Sequence, residues 1–239
     1  MKKPKLLIAL IAFIVILSSM TIDLQNLFNY ANQSVPTYIT KDNTAGNVIS
    51  DEGATLGRVL FYDKKLSSNN MVACASCHHQ QFAFGDTAWI SPGVNGNTAR
   101  HSMRLVNNRF ADEQKFFWDE RAETLEDQVL MPFQDDVEMG LTLPELVSIA
   151  SSQAYYPPLF EDAFGDELIS SDRISKALAQ FVRSLVSVTS KYDQARTAVQ
   201  SPMTDFPSFT AQENQGKRLF YMEHKNTPGN LIGPWSIVD

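Results

Sequence analysis

Cysteine is scarce in this chain, and its scarcity excludes several kinds of protein. Cys74 and Cys77 are the two cysteines among 239 residues, too few for a small fold held together by several disulfides. The four histidines show no paired spacing of the kind that structural zinc sites use. A single disulfide would account for the two cysteines, but not for the histidine that directly follows the second one.

The chain also has few basic residues and no long apolar run. Lys and Arg number 20 against 27 Asp and Glu, a formal net charge of -7, which argues against nucleic acid as a partner. The apolar run at residues 6–17 is shorter than the roughly 20 residues of a membrane-spanning helix. It follows Lys2, Lys3 and Lys5, an arrangement typical of an export signal. We expect a signal over residues 1–20 and a periplasmic protein, with an uncleaved N-terminal membrane anchor as the alternative.

What the chain does contain is a Cys-x-x-Cys-His run at Cys74, Cys77 and His78. This spacing is typical of c-type haem attachment, in which both thiols bind the porphyrin and the histidine ligates iron. A thioredoxin-like redox motif needs a context of alternating strands and helices, which the sequence does not have. We therefore expect one covalent haem c. Such haem is attached outside the cytoplasm, in agreement with the predicted export signal.

Helical patterns dominate the rest of the sequence. Thr142 and Glu145 form a capping box that predicts a helix to about residue 151, and Thr210 with Glu213 predicts another. Helical spacing predicts the clearest helix over residues 171–190, with a buried face made of Ile174, Ala177, Leu178, Phe181, Leu185 and Val188. Strand patterns are sparse, so the sequence predicts a mostly α-helical fold with long loops that shape a ligand site.

One short pattern occurs twice. Gly-x-x-Leu-Phe-Tyr occupies residues 57–62 and again residues 216–221. Cys74 lies 13 residues after Phe61, but the position 13 residues after Phe220 is Gly233, and no second Cys-x-x-Cys-His precedes the end of the sequence. A second haem-binding unit therefore begins in the sequence without its haem motif.

Several motifs, taken in order, resemble those of the bacterial di-haem cytochrome c peroxidases and their relatives. They span residues 56–220 and include Leu56-Gly57-Arg58-x-Leu60-Phe61-Tyr62-Asp63, Arg100-His101-Ser102-Met103, Phe117-Trp118-Asp119-x-Arg121-Ala122, Leu125-Glu126-x-Gln128 and Phe181-x-Arg183-Ser184. The family has two cytochrome c-like units: the N-terminal haem is peroxidatic, and the C-terminal haem takes electrons from a small donor protein. Residues 21–50 are polar and lack sustained periodicity. The resemblance implies a mostly α, cytochrome c-like peroxidatic haem domain at 51–200 and an incomplete start of the second haem domain at 201–239.

The resemblance also implies roles for individual residues. His78 is then the proximal iron ligand, and Glu126 is the catalytic carboxylate of the distal pocket, which relays a proton during peroxide cleavage. A surface glutamate on an amphipathic helix is the alternative for Glu126. Trp118 is a candidate for an electron path, with plain core packing as its alternative. Two positions depart from the family pattern, since Phe116 replaces a common glutamine and Glu120 a common glycine.

The resemblance leaves the sixth iron ligand open. His101 is the main candidate, with Met71, Met103, Met131 and Met139 as alternatives. His101 occupies a place often filled by asparagine, which favours a hydrogen-bonding role over ligation. Many family members bind calcium where their two units meet, so calcium is a further candidate ligand. Because the family is often dimeric, a homodimer is a further expectation.

These inferences converge on an exported c-type haem peroxidase. We expect it to reduce hydrogen peroxide to water with electrons from a small donor protein, a cytochrome c or a cupredoxin. The alternatives are a single-haem electron-transfer protein, an inactive truncated remnant of a di-haem peroxidase, and a relative that oxidises amino-acid side chains of a partner protein. The single haem motif fits either a natural short protein or part of a longer one.

Overall fold

The computed structural model describes residues 27–111 and 115–225. The predicted signal at residues 1–20 and the last part of the predicted second unit, residues 226–239, lie outside the described residues. Within the described ranges the α-helices are α1 (Asp51–Tyr62), α2 (Leu125–Gln134), α3 (Leu143–Ser151), α4 (Tyr156–Phe164), α5 (Ser171–Arg183), α6 (Lys191–Thr197) and α7 (Ala211–Lys225). None of them is long and apolar enough to cross a membrane.

Short elements connect these helices. The strands β1 (Pro92–Gly93) and β2 (Gly96–Asn97) form a small antiparallel hairpin. Single turns of 3-10 helix occur at Lys64–Leu66, Cys74–Ser76, Gln80–Phe82 and Asn108–Phe110. The prediction of a mostly helical fold is therefore confirmed, and the long connection between α1 and α2 carries the haem motif.

The helix ends follow the capping chemistry of the sequence. The Thr142 hydroxyl accepts from the Glu145 amide, and the Glu145 carboxylate accepts from the Thr142 amide at 2.8 Å. Thr210 and Glu213 make the same reciprocal pair before α7. Both predicted capping boxes are confirmed, and each satisfies backbone N–H groups that a helix start leaves without partners.

The predicted helix over residues 171–190 is too long, since α5 ends at Arg183. Leu185 and Val188 therefore lie beyond the helix. The side chain of Asn107 explains the difference: its Nδ2 donates to the Ser187 carbonyl at 2.9 Å, and its Oδ1 accepts from the Ser187 amide at 2.8 Å. This pairing binds the backbone at Ser187 to the Asn107 side chain, so the stretch after α5 does not continue the helix.

Helices α1 and α5 approach each other closely at Gly57. An ideal Cβ atom on Gly57 would lie 2.0 Å from the Ala177 carbonyl oxygen, so a side chain does not fit between the two backbones. The core around this crossing consists of Leu56, Leu60, Phe61, Ile174, Leu178 and Phe181. In the second copy of the sequence pattern, on α7, Leu219 and Phe220 are instead more than half exposed.

Residues 27–50, which we call the N-terminal strap, are irregular but firmly attached to the helices. Gln33 donates to the Ser184 carbonyl at 2.9 Å, and the Tyr38 hydroxyl donates to Asp193 at 2.6 Å. The strap also reaches the last turn of α5, where the Asn43 side chain accepts from Arg183 at 2.8 Å. These long-range hydrogen bonds satisfy polar groups that would otherwise be partly buried without a partner.

Candidate haem site

The Cys-x-x-Cys-His segment folds into a single tight turn. Residues Cys74–Ser76 form one 3-10 turn, and the His78 amide donates to the Cys74 carbonyl at 2.9 Å. Both cysteines are free of disulfide. Burial raises the pKa of Cys74 to about 12 and also raises the pKa of Cys77. Both sulfurs are therefore thiols, the form from which two thioether bonds to one haem are made.

The imidazole of His78 is oriented for metal ligation. Its Nδ1 lies 2.8 Å from the carbonyl oxygen of Phe84. Because a carbonyl only accepts, Nδ1 carries the proton, and the lone pair is on Nε2. Ala83 and Phe84 both have positive φ angles, +58° and +57°, which turn this carbonyl toward the ring. Burial lowers the pKa of His78, so the ring is neutral, as an iron ligand must be.

Cys74, Cys77 and His78 line a cavity of about 440 Å³. Its apolar walls come from Phe61, Val72, Leu105, Val129, Leu178 and Val182. Two thiols, a neutral histidine and apolar walls are the donor set and surroundings that a c-type haem requires, so the residues present fit that cofactor. The described residues contain no cluster of three or more His, Cys, Asp or Glu side chains suited to a metal ion, and the calcium site stays a prediction.

The candidates for a sixth ligand fall into two groups. His101, Met103 and Met139 line the cavity, whereas Met71 and Met131 do not. Met71 is a strongly exposed side chain. The structure therefore brings three of the five candidates to the same cavity as His78, and ligation by His101 stays a prediction.

Glu126 does not line the cavity in this structure. Its carboxylate accepts from Arg183 at 2.5 and 3.0 Å, one guanidinium nitrogen to each oxygen, and from Asn47 of the strap at 2.7 Å. Burial alone would raise the pKa of Glu126, but these hydrogen bonds outweigh it and hold the pKa below its ordinary value. The catalytic role of Glu126 stays a prediction, since its carboxylate is bound elsewhere.

Helix geometry explains why Glu126 points away. The residues of α2 that line the cavity are Leu125, Gln128, Val129 and Pro132, which are spaced by three, four and seven residues and share one helix face. Glu126 follows Leu125 directly and so lies about 100° further around the helix. That rotation turns Glu126 toward α5 and the strap.

Gln128 is the polar residue of α2 that does reach the cavity. Its side chain is 7% exposed, and its Nε2 lies 3.5 Å from the sulfur of Met103. A thioether is a weak acceptor, so this buried amide keeps hydrogen-bonding capacity for a ligand. Sequence reasoning missed its role, although its spacing of three residues from the buried Leu125 was a usable signal.

Two carboxyl groups also reach the cavity, those of Asp135 and Glu138. Burial, with a further contribution from the charge of Asp135, raises the pKa of Glu138. Gly93 of β1 closes this part of the wall, since a Cβ there would lie 2.0 Å from the carbonyl oxygen of Val137. Sequence analysis gave Glu138 no role.

The segment 116–122 forms a tight loop at the cavity. Phe116 and Ala122 exchange backbone hydrogen bonds at 2.9 and 3.4 Å. Between them Phe117 and Glu120 adopt positive φ angles of +66° and +55°, a conformation that costs about 1–2 kcal/mol for a residue with a side chain. This explains why glycine suits the position of Glu120. Phe116 is buried in the core and does not line the cavity.

Charged groups hold the loop in place. Asp119 accepts from Arg100 at 2.7 Å and from Arg121 at 2.6 Å, and these hydrogen bonds lower its pKa to about 2. The guanidinium of Arg121 lies 3.4 Å from the centre of the Phe117 ring. Trp118, on the same loop, lines the cavity and is also 70% exposed. The alternative that this tryptophan simply packs in the core is therefore wrong.

A mostly helical chain with free Cys-x-x-Cys-His thiols on an apolar cavity has the construction of a c-type haem protein. The family described as di-haem cytochrome c peroxidase matches residues 51–200, and the chain belongs to this family.

Individual relatives agree with this assignment. Over 150 residues the chain is 39% identical to a methylamine utilization protein MauG of Methylophilus methylotrophus, covering 62% of this chain and 44% of that protein. It is 30% identical to a cytochrome c551 peroxidase of Pseudomonas aeruginosa, covering 78% and 52%. The chain thus spans about half the length of the curated relatives it matches.

Solved structures show the same architecture. A MauG-like protein associated with microbial copper homeostasis superimposes with a TM-score of 0.66 at 32% identity, covering 80% of this chain and 55% of that one. The diheme peroxidase BthA of Burkholderia thailandensis superimposes with a TM-score of 0.59 at 22% identity, covering 80% and 49%. The second likeness concerns the fold alone.

Proposed function

We propose that the protein is a c-type haem peroxidase that reduces hydrogen peroxide to water with electrons from a small cytochrome c or cupredoxin. One observation carries the proposal: the neutral His78 and the thiols of Cys74 and Cys77 share one apolar cavity. Haem bound there would supply the iron that accepts the oxidising equivalents of peroxide. Two electrons and two protons then convert each peroxide into two water molecules.

The surrounding residues have separate tasks in this proposal. Phe84 fixes the orientation of His78 through its carbonyl oxygen. The buried amide of Gln128 hydrogen-bonds a small polar ligand in the cavity, and the apolar walls exclude bulk water.

Glu126 can act as the acid/base only if its carboxylate moves. To act on peroxide, its carboxylate must break its hydrogen bonds with Arg183 and Asn47 and turn into the cavity. Glu138 needs no such movement, because it already lines the cavity. Comparing Glu126→Gln with Glu138→Gln therefore identifies the carboxyl group that moves the proton.

Export to the periplasm is part of the proposal. It is supported by three lysines before the apolar run at residues 6–17 and by the haem motif itself. Assembly into a homodimer is a further proposal, which rests on the resemblance alone.

The test uses the full chain, produced in a host that attaches c-type haem in its periplasm. Haem should stay with the polypeptide after acid–acetone extraction, and a pyridine haemochrome spectrum should give one haem per chain. Replacing both Cys74 and Cys77 by alanine should make the haem extractable. Peroxide-dependent oxidation of a reduced small cytochrome c is then measured. Covalent haem without peroxide turnover would refute the peroxidase.

The hydrogen bonds of Glu126 favour a second candidate function. A carboxylate held by Arg183 outside the cavity is suited to a single-haem electron-transfer protein that needs no proton relay. Such a protein would exchange electrons with a redox partner but consume no peroxide, and the same measurement separates the two functions.

A further inference from the structure

Two neighbouring tyrosines, Tyr155 and Tyr156, share one carboxylate. The Tyr155 hydroxyl donates to Oδ2 of Asp63 at 2.7 Å, and the Tyr156 hydroxyl donates to the same oxygen at 2.8 Å. The centres of the two rings lie 4.7 Å apart. Asp63 directly follows α1, and its other oxygen accepts from the Lys65 amide at 2.9 Å. One carboxylate thus holds two phenols against each other in a fixed arrangement.

The pair extends from the haem turn to the surface of the molecule. Tyr156 is fully buried in the apolar core against which Cys74 packs, and α1 contacts both the turn of Cys74 and helix α4. Burial and then Asp63 raise the pKa of Tyr156, and Cys74 lies close enough to add to that rise. Tyr155, by contrast, is 38% exposed. The two rings therefore connect the cysteine that carries haem in the proposed function with solvent.

Asp63 supplies what the oxidation of a tyrosine requires. Burial and Asp63 raise the pKa of both Tyr155 and Tyr156, so both hydroxyls are protonated at neutral pH. A tyrosine that loses an electron becomes a strong acid and must release its proton. A carboxylate that already accepts a hydrogen bond from the hydroxyl can take up this proton directly. The cluster is therefore built for coupled transfer of an electron and a proton.

We propose that Tyr155 is a second oxidation site of the protein, at which small phenolic acids supply electrons for peroxide reduction through Tyr156 and the haem bound at Cys74. The inference rests on the proposed function. Tyr156 gives one electron toward the haem, and its proton passes to Asp63. Tyr156 then recovers an electron from Tyr155 and the proton from Asp63, and Asp63 takes the proton of Tyr155.

The external phenol completes each transfer. Tyr155 recovers its proton from Asp63 and an electron from the phenol, whose own proton is released to water. The tyrosines and Asp63 are therefore unchanged after each transfer. Two phenols and one hydrogen peroxide give two phenoxyl radicals and two waters.

The surface at Tyr155 indicates which reductant fits. The ammonium group of Lys65 lies 5.5 Å from the centre of the Tyr155 ring, and its hydrogen-bond partner is the neutral side chain of Gln153 at 2.7 Å. Lys64, beside it in the chain, is also exposed. Exposed cations next to an aromatic ring favour an aromatic reductant that carries a negative charge. A small phenol with a carboxylate group has both properties.

The kinetic test compares Tyr155→Phe with the matched control Tyr62→Phe in the haem-loaded full chain. Tyr62 is more exposed, at 43%, but does not take part in the pair on Asp63. With para-hydroxyphenylacetate and peroxide as the probe, Tyr155→Phe should lower the rate of phenol oxidation about tenfold. Tyr62→Phe should keep the wild-type rate. An unchanged rate in Tyr155→Phe would overturn the inference.

Two further comparisons test the proton acceptor and the class of reductant. Asp63→Asn keeps a hydrogen-bond acceptor but takes up no proton at neutral pH, so it should slow phenol oxidation as much as Tyr155→Phe does. para-Cresol, which lacks the carboxylate, should react about tenfold more slowly than para-hydroxyphenylacetate at equal concentration. A wild-type rate in Asp63→Asn would contradict the proton transfer, and equal rates for the two phenols would contradict the preference for acids.

A second readout does not depend on turnover. The haem-loaded chain is mixed with peroxide without any reductant, frozen, and examined by electron paramagnetic resonance. A tyrosyl radical signal should appear in the wild type and in Tyr62→Phe. It should be absent when Tyr155 and Tyr156 are both replaced by phenylalanine. A signal of wild-type size in that double variant would contradict the inference.

Reduced cytochrome c separates this inference from the proposed function. If the chain oxidises cytochrome c with peroxide but its oxidation of phenols does not depend on Tyr155, the inference alone fails. If peroxide drives the oxidation of neither cytochrome c nor phenols, the proposed function fails, and the inference fails with it.

Discussion

Arg183, the last residue of α5, donates two hydrogen bonds to Glu126 in the first turn of α2, at 2.5 and 3.0 Å. The arginine side chain is 5% exposed and the glutamate 22%. Two segments that are separate motifs in the sequence thus form one ion pair. Paired guanidinium and carboxylate groups of this geometry are among the strongest hydrogen-bonded contacts in proteins.

Removing the arginine should destabilise the fold markedly. Arg183→Met leaves the Glu126 carboxylate partly buried without its cation, and we expect the free energy of unfolding to fall by about 3 kcal/mol. Arg173→Met, on the same helix, breaks an ion pair with the exposed Asp166 and should lower the free energy of unfolding much less. Urea unfolding measures both. Equal losses would contradict the importance of the buried pair.

Stability should depend on pH through Glu126. Its pKa in the folded chain lies below the ordinary value, near 4.3 for an unfolded chain. The pair therefore contributes fully above about pH 4.3 and is lost as the pH falls through the lower folded value. The difference in unfolding free energy between wild type and Glu126→Gln should be large at neutral pH and shrink in that acidic range. A difference that stays constant with pH would argue against this role.

The two glycines of the repeated pattern should respond oppositely to alanine. At Gly57 a Cβ would meet the Ala177 carbonyl at 2.0 Å, so Gly57→Ala must separate α1 from α5 and should cost about 3 kcal/mol. At Gly216 nothing lies within 4 Å of such a Cβ, and Gly216→Ala should gain about 0.5–1 kcal/mol from helix propensity. Thermal unfolding of both variants checks the contrast, and a loss at Gly216 would be the unexpected result.

Replacing Gln128 should slow the reaction with peroxide without destabilising the fold. Its amide is buried with a weak thioether partner, so Gln128→Leu should leave the fold unchanged or up to about 1 kcal/mol more stable. The reaction of the haem-loaded chain with peroxide should slow about tenfold. Gln180→Leu is the comparison, because the Gln180 amide bonds Asn47 through its nitrogen and Ser50 through its oxygen. Its loss should lower the free energy of unfolding by about 1–3 kcal/mol. A peroxide rate unaffected by Gln128→Leu would remove Gln128 from the site.

Sequence patterns predicted those features of the fold that depend on residues close together in the chain. The capping pairs at Thr142 and Thr210 and the buried face of α5 follow from neighbours within a few residues. The end of α5 does not, because Asn107, 80 positions before Ser187, pairs with the backbone there. Contacts of that kind are invisible to periodicity.

In the site, too, some features follow from adjacent residues and others from distant contacts. The turn that carries Cys74, Cys77 and His78 follows from five adjacent residues, and the structure places all three on one cavity. The direction of Glu126 depends instead on Asn47, 79 positions earlier. A motif gives the identity of a residue, whereas the rotation of its helix and a remote partner decide where its side chain points.

The N-terminal strap belongs to the folding unit although it lies outside the family match. The family match begins at residue 51, yet Asn43 binds Arg183 and Asn47 binds Glu126. A polypeptide started at residue 51 would open the central ion pair to water and leave side chains of α5 without partners. The smallest segment able to fold independently therefore extends upstream of the family boundary.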